Sequence, residues 1–156
     1  MSIHKYRNIL IRAVNRIGDT INSLPCIKAL DKAFPDAQIT VLTKLATADL
    51  YRENPYIEET LIFEDKGIHK GVRGRLRLSS EFRARHFDLA VIFHNCFDAA
   101  LSPFFAGIPE RIGYVREGRG FLLTRNLPFP DEPIHRTDYF LEILKLIGVT
   151  TEDKMP

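Results

Sequence analysis

Several residue types and patterns are scarce in this 156-residue chain, and each scarcity excludes a class of protein. Tryptophan is absent, and the two cysteines, Cys26 and Cys96, lack the close spacing of a metal site. A reduced pair, as in cytoplasmic proteins, is expected. No apolar run approaches the ~20 residues of a membrane-spanning helix, and the first residues carry no apolar signal segment. A formal net charge of +2 is too small to indicate nucleic acid as a partner.

Motifs for the common cofactors are also missing. The sequence has no G-x-G-x-x-G dinucleotide fingerprint, no P-loop and no G-x-S-x-G nucleophile elbow. No metal-ligand spacing is found among the five histidines, which are His4, His69, His86, His94 and His135. The sequence therefore predicts neither a metal site nor a cofactor site.

Apolar runs alternate with helical patterns along the chain. Strands are predicted at residues 9–11, 39–42, 60–63, 87–93 and 111–114. Helices are predicted at residues 19–34, 44–52, 71–85, 97–106 and 137–147, with Val72, Leu76 and Phe82 facing inward in the third of them. This alternation predicts an α/β fold of one domain, a Rossmann-like, doubly wound parallel sheet in the order 3-2-1-4-5. Ligands bind such sheets where the strand order reverses, which places residues 15–19 beside residues 94–95.

Residues 9–25, with the sequence ILIRAVNRIGDTINSLP, form the segment around which the rest is organised. An apolar strand leads into a short polar turn, in which Gly18 is expected to let the backbone turn tightly. Asp19 follows, where a helix N-terminus favours an anion. Two interpretations remain open. Asp19 either caps a helix that kinks at Pro25, or lies in a loop before a helix that starts near Asn22 or Ser23.

Three blocks of sequence resemble one known family. The segment 9–25 is similar to the opening of the lipopolysaccharide heptosyltransferases, glycosyltransferase family 9, and within it the heptosyltransferase II branch. Residues 94–109 and 110–124, HNCFDAALSPFFAGIP and ERIGYVREGRGFLLT, resemble that family's asparagine-centred loop, helix and R-x-G-Y…G-R-G-x-L-L-T segment. Residues 135–148, HRTDYFLEILKLIG, resemble the helix that closes its N-terminal domain. The blocks occur in the family's order and cover nearly the whole chain.

The resemblance implies the N-terminal half of a GT-B enzyme that has two Rossmann-like domains and needs no metal. Such an enzyme would move heptose from the sugar nucleotide ADP-heptose to the phosphorylated lipid A inner core, with inversion at the anomeric carbon. Residues 1–150 would form the acceptor-side domain. Residues 151–156 would begin the linker to a donor-binding C-terminal domain in cis, which this chain lacks. A cytoplasmic location, with peripheral contact at the inner-membrane face, is also implied.

The resemblance also implies roles for particular residues. Asp19 matches the family's general base, whereas Asn15, Asn95 and the backbone at Gly18 would hold sugar hydroxyls. The guanidinium fork suits phosphates and carboxylates. The arginines expected at the acceptor are Arg16, Arg73, Arg75, Arg77, Arg116 and Arg119. In the alternative interpretation, the arginine-rich segments are simply a solvated helix face and a surface loop.

Two functions of other kinds stay open from the sequence. The chain could bind an acidic saccharide or a lipid head group without catalysis, or it could be an interaction domain that exposes an apolar face.

Overall fold

Six parallel strands form one sheet in the computed structural model, which describes residues 5–155. The strands are β1 (Asn8–Arg12), β2 (Gln38–Thr43), β3 (Glu59–Ile62), β4 (Leu89–Ile92), β5 (Glu110–Val115) and β6 (Arg125–Pro128). The helices are α1 (Ile17–Ala33), α2 (Leu45–Arg52), α3 (Gly71–Arg85), α4 (Phe97–Phe105) and α5 (Arg136–Lys145), with a 3-10 turn at Arg119–Leu122. The predicted doubly wound α/β class is confirmed.

The strand order is β3-β2-β1-β4-β5-β6, so the predicted order 3-2-1-4-5 is confirmed but the predicted count of five strands is wrong. The sixth strand pairs in parallel with β5, from Ile112 opposite Arg125 to Val115 opposite Pro128. Its sequence, RNLP, has no alternation of apolar residues and ends in proline, which is tolerated at a sheet edge. That pattern does not indicate a strand without knowledge of its neighbour.

The sheet separates two apolar cores. Leu89 and Val91 of β4 face the core that α1 and α5 cover, whereas Ala90 and Ile92 face the core beneath α3 and α4. All four side chains are fully buried, as expected for a central parallel strand covered on both faces. The three larger side chains, Leu89, Val91 and Ile92, each contribute roughly 1.5–3 kcal/mol through their removal from water.

The inward face of α3 differs from the predicted one. Phe82 is buried as expected, but Val72 and Leu76 are 78% and 49% exposed. Backbone packing sets this rotation, since a Cβ added at Gly74 would lie 1.8 Å from the carbonyl carbon of His69. Gly74, in the first turn of the helix, therefore packs directly against the preceding loop.

The first helix starts earlier than either interpretation of the sequence proposed. Residues Ile17–Ala33 form α1, with Arg16 as its N-cap residue and Pro25 inside the helix. Both earlier interpretations of Asp19, as an N-cap and as a loop residue, are therefore wrong, because Asp19 is the third residue of the helix.

The last helix begins at Arg136, one residue before its predicted start at Thr137, and His135 is its N-cap residue. The ring of His135 accepts a hydrogen bond from the Thr137 amide at 3.2 Å. This start brings Arg136 to the carboxyl edge of the sheet.

Candidate active site

A cleft of about 230 Å³ opens at the carboxyl edge of the sheet, between β1 and β4. These two strands are direct neighbours, with Arg12 opposite Ile92, so the loops that follow them leave the sheet side by side. The cleft is lined by Val14, Asn15, Arg16, Asp19, Phe93, His94, Asn95 and Arg136. The predicted meeting of residues 15–19 with residues 94–95 is confirmed.

A larger hollow, about 460 Å³, lies at the opposite edge of the sheet. It is lined by Arg7, Asn8, Asp36 and Gln38, where β1 and β2 begin. Ligands of open α/β sheets bind outside the carboxyl ends of the strands, at the point where strand order reverses. The smaller cleft is at that point, and we take it as the candidate site.

Asp19 faces this cleft from the first turn of α1. Its carboxylate is 24% exposed, and Oδ1 accepts a hydrogen bond from Nε of Arg136 at 3.0 Å. The unpaired amides at a helix N-terminus favour a negative charge, as does the guanidinium. The site thus contains a carboxylate that is fixed by its partner and still reached by solvent.

The space above Gly18 is open. This residue lies within the helix, outside the left-handed region of φ, so the predicted tight turn is wrong. A Cβ added at Gly18 would meet no atom within 4 Å. Arg16, the N-cap residue of α1, is exposed at the rim of the cleft. A ligand could therefore approach the backbone at the start of α1.

His94 and Asn15 join the two loops across the cleft. The ring Nε2 of His94 lies 3.2 Å from the Asn15 side-chain amide, and Nδ1 accepts a hydrogen bond from the Cys96 amide at 3.3 Å. A neutral ring that accepts at Nδ1 carries its proton on Nε2. The Asn15 amide can turn so that its oxygen accepts a hydrogen bond from this N–H group. Burial, followed by the charges of Arg12 and Arg119, lowers the pKa of His94 from 6.5 to about 4.

Asn95 points its amide nitrogen at the hydroxyl of Tyr139, to which it donates. Its Oδ1 is buried and has no partner among the described residues. Tyr139 is itself held by a stack on Tyr114, with ring centroids 4.3 Å apart. The two expected hydroxyl-binding residues, Asn15 and Asn95, thus line the same cleft, and no contact in the structure tests that role.

Arg119, which was expected to contact the acceptor, lies in the interior of the protein. Its side chain is fully buried beneath the β4–α4 loop. The guanidinium donates to the carbonyl oxygens of Tyr114 (2.9 Å), His94 (2.6 Å) and Cys96 (3.0 Å). Gly118 has φ of 73°, and the 3-10 turn that follows directs the side chain inward rather than towards an acceptor. In this geometry Arg119 fixes the loop that presents His94 and Asn95.

The remaining predicted arginines do not gather in the cleft. Arg73 and Arg77 are exposed on α3, and Arg116 is exposed with its guanidinium 4.0 Å from the centre of the Phe129 ring. Arg75 is paired with Asp98 at 2.6 Å, beside the start of α4. Their predicted contact with an acceptor is untested.

Arg136 is the residue at this site that sequence reasoning missed. It pairs with a carboxylate 117 positions away, and its guanidinium lies 4.3 Å from the centre of the Tyr139 ring. No local pattern reports such a contact. The available signal was its place at the start of a helix in a βα fold, because such starts lie at the carboxyl edge.

Cys26 does not have the surroundings of a nucleophile. Cys26 is fully buried, and burial raises the pKa of its thiol well above the usual range. Within residues 5–155, no cluster of three or more histidine, cysteine, aspartate or glutamate side chains could hold a metal; His4 lies outside these residues. Among the same residues, no helix combines the length and apolar character needed to cross a membrane.

The chain is similar to known heptosyltransferases in sequence and in fold. No family model matches the chain. The chain is 30% identical over 115 residues to lipopolysaccharide heptosyltransferase 2 of Escherichia coli K12, which covers 74% of this chain and 33% of that protein. This chain is related to the heptosyltransferases. The resemblance found in the sequence is confirmed, and the chain spans about a third of the length of this heptosyltransferase relative.

Solved structures give the same result for the fold. The structure of E. coli ADP-heptose LPS heptosyltransferase II matches with a TM-score of 0.75 at 27% identity, over 87% of this chain and 39% of that one. A glycosyl transferase family 9 protein from Veillonella parvula matches with a TM-score of 0.82 at 21% identity, over 92% of this chain and 42% of that one. The similarity to these heptosyltransferase-type folds covers less than half of each structure.

Proposed function

We propose that this chain is the N-terminal, acceptor-side domain of an inverting glycosyltransferase that moves heptose from ADP-heptose to the phosphorylated lipopolysaccharide inner core. The observation that carries the proposal is the Asp19 carboxylate, partly exposed in a cleft at the switch point of the sheet and fixed at 3.0 Å by Arg136. The relatives named above support the choice of heptose and of ADP-heptose.

In the proposed reaction Asp19 accepts the proton of an acceptor hydroxyl. The hydroxyl oxygen attacks the anomeric carbon, the bond from that carbon to the phosphate oxygen breaks, and ADP leaves from the opposite face. Asn15 and Asn95 would orient the hydroxyls. The exposed arginines Arg16, Arg73, Arg77 and Arg116, with Arg75, would attract the acceptor's anionic groups, and Arg119 would act by holding the β4–α4 loop.

A donor-binding domain in cis is part of the proposal. Large apolar side chains stand exposed where helices and the 3-10 turn begin at the carboxyl edge of the sheet: Ile17 (58%), Leu45 (70%), Val72 (78%) and Phe121 (69%). A second domain that closes over the cleft would cover them and exclude water from the reaction. We place the complete enzyme in the cytoplasm, at the inner-membrane face where its acceptor resides.

The test is transfer by a protein that contains this chain with its proposed donor domain, in wild-type form and as Asp19→Asn. Loss of a general base lowers the rate by ~10²–10⁴-fold. Thermal stability should fall little, because a partly exposed ion pair contributes about 0–1 kcal/mol. Near-normal turnover of Asp19→Asn would remove Asp19 from catalysis. We also propose that no metal is needed, so activity should survive a chelator.

Asp49→Asn is the matched control. Asp49 forms a surface ion pair with Arg52 at 3.3 Å on α2, away from the cleft. The same chemical change there should leave transfer unaffected. If both variants lose activity equally, the loss reflects charge or stability rather than a base.

A second candidate function is binding of an acidic saccharide or lipid head group without transfer. The observation that favours it is the presence in the cleft of two buried amide oxygens, Oδ1 of Asn15 and Oδ1 of Asn95, that have no hydrogen-bond partner among the described residues. Saccharide binding by this chain, combined with no transfer by the complete gene product, would establish it.

A further inference from the structure

Arg136 has unused hydrogen-bonding capacity in the cleft. Its Nε donates to Asp19, and neither of its Nη groups donates to any of the residues described. A guanidinium carries five N–H donors, so most of them remain available. The side chain is 40% exposed, which lets a ligand reach these donors.

The guanidinium is also held in place. It lies 4.3 Å from the centre of the Tyr139 ring and 5.0 Å from that of Phe140, and both rings are buried. Stacking on aromatic faces is characteristic of arginine and not of lysine. With Nε bonded to Asp19 and the guanidinium packed against the two rings, the side chain is restrained within the cleft.

The cleft has an excess of positive charge. Arg12 and Arg119 are at least 96% buried near His94, and neither forms an ion pair within the part of the chain that the structure describes. Arg16 adds an exposed cation at the rim. Of the carboxylates nearby, Asp19 is shared with Arg136 and Asp98 is paired with Arg75. Asp65 and Glu117 act on Arg12 and Arg119 only through longer-range attraction. Cations in a partly water-excluded cleft favour an anionic ligand.

We propose that Arg136 binds an oxyanion of the substrate, a phosphate or carboxylate group, through its two Nη groups while its Nε holds Asp19. The Arg136 guanidinium would then hold the anion next to the Asp19 carboxylate, which receives the hydroxyl proton. The substrate hydroxyl would thereby be oriented towards Asp19. The identity of the oxyanion as part of a transfer substrate rests on the proposed function; the binding site itself rests on the geometry of Arg136.

The experiment is titration of this chain with inorganic phosphate, followed by nuclear magnetic resonance of the Arg136 Nε and the side-chain amides of Asn15 and Asn95. We expect saturable shifts at these groups in the wild type and at least tenfold weaker binding in Arg136→Gln. Arg83→Gln is the matched control, since it removes the same charge from an exposed position on α3, outside the cleft. It should bind phosphate as the wild type does.

Arg136→Lys separates charge from geometry. Lysine keeps the cation but loses the fork, so its affinity should lie between those of the wild type and Arg136→Gln. Backbone spectra and melting temperatures of all variants would show that the fold is retained. Equal weakening in Arg136→Gln and Arg83→Gln would overturn the proposal. So would the absence of saturable shifts up to about 10 mM phosphate, where even a millimolar site is mostly filled.

Two further probes assign the source of the oxyanion. ADP carries the diphosphate of the donor, and a hexose 6-phosphate carries a sugar-linked phosphate of the acceptor type. We expect the sugar phosphate to bind in an Arg136-dependent way. Arg136-dependent binding of ADP would keep the oxyanion site and move it to the donor. If Arg136→Gln changes the binding of neither, the proposal fails.

Failure of this inference can be distinguished from failure of the proposed function. Transfer by the complete gene product, without Arg136-dependent phosphate binding, would remove the oxyanion site and leave the function. Arg136-dependent phosphate binding without any transfer would remove the function and leave the site.

Discussion

His94 lines the cleft, and its charge state is set by its burial and by two buried arginines, Arg12 and Arg119. Burial disfavours the imidazolium, and the two guanidinium charges disfavour it further, so the pKa of His94 falls to about 4. His94 is therefore neutral at neutral pH. A neutral ring can donate from Nε2 to Asn15 and accept at Nδ1, which an imidazolium cannot do.

This shift predicts a pH dependence of stability. The pKa of His94 is lower in the folded state, so between pH 6.5 and pH 4 the unfolded state binds more protons and stability falls as pH falls. From pH 7 to pH 5 we expect His94 to account for a loss of about 1 kcal/mol, after allowance for solvent screening of a half-buried group. Urea unfolding at both pH values, for the wild type and His94→Gln, measures it. An equal pH dependence in the two proteins would contradict the assignment.

Arg119 is expected to contribute to the stability of the fold, because its guanidinium is fully buried and hydrogen-bonded. Arg119→Met keeps the length of the side chain but leaves three enclosed carbonyl oxygens without their donor, which should cost on the order of 3 kcal/mol. Arg73→Met, at an exposed position, should change the free energy of unfolding by no more than about 0.5 kcal/mol. Urea unfolding compares them. Equal effects would mean that the hydrogen bonds of Arg119 contribute nothing net.

The loops after β1 and β4 are the elements that form the site, and two glycines next to them should respond oppositely to alanine. A Cβ at Gly113 would lie 3.0 Å from the Ile92 carbonyl and 3.1 Å from Nη2 of Arg119. Gly113→Ala should therefore displace the β4–α4 loop and destabilise the fold by about 1–3 kcal/mol. Gly18→Ala, in open space within a helix, should be neutral or stabilise by up to about 1 kcal/mol.

Thermal unfolding of the two alanine variants tests this contrast, and phosphate titration adds a functional readout. Gly113→Ala should also weaken binding at the cleft, because His94 and Asn95 move with their loop. Destabilisation by Gly18→Ala, or none by Gly113→Ala, would show that the local packing argument is wrong.

Local patterns predicted most elements because those elements are determined locally. Buried runs such as residues 87–93 are recognisable as central strands, and the helix at residues 71–85 was placed at its observed bounds. The edge strand β6 and the inward turn of Arg119 depend on partners distant in sequence, so no local pattern reports them. The same holds for the site, where the carboxylate Asp19 was found but its partner Arg136 was not.

At the scale of the whole molecule, the exposed apolar residues at the carboxyl edge predict association. In this chain the side chains of four residues are in contact with water: Ile17, Leu45, Val72 and Phe121. We expect this chain alone to self-associate at high concentration, and the double variant Val72→Ser, Phe121→Ser to remain monomeric. Sedimentation at several concentrations measures this. Identical behaviour of both proteins would show that the residues do not form an interface.

We expect this chain to supply the base and the acceptor side of a transferase but not the nucleotide site. The chain spans about a third of the length of the E. coli K12 heptosyltransferase that it matches. Calorimetry of this 156-residue chain against ADP and ADP-heptose tests the claim most directly. We expect ADP and ADP-heptose to bind weakly or not at all. Tight binding of one ADP per chain would show instead that the chain is a self-contained nucleotide-binding protein.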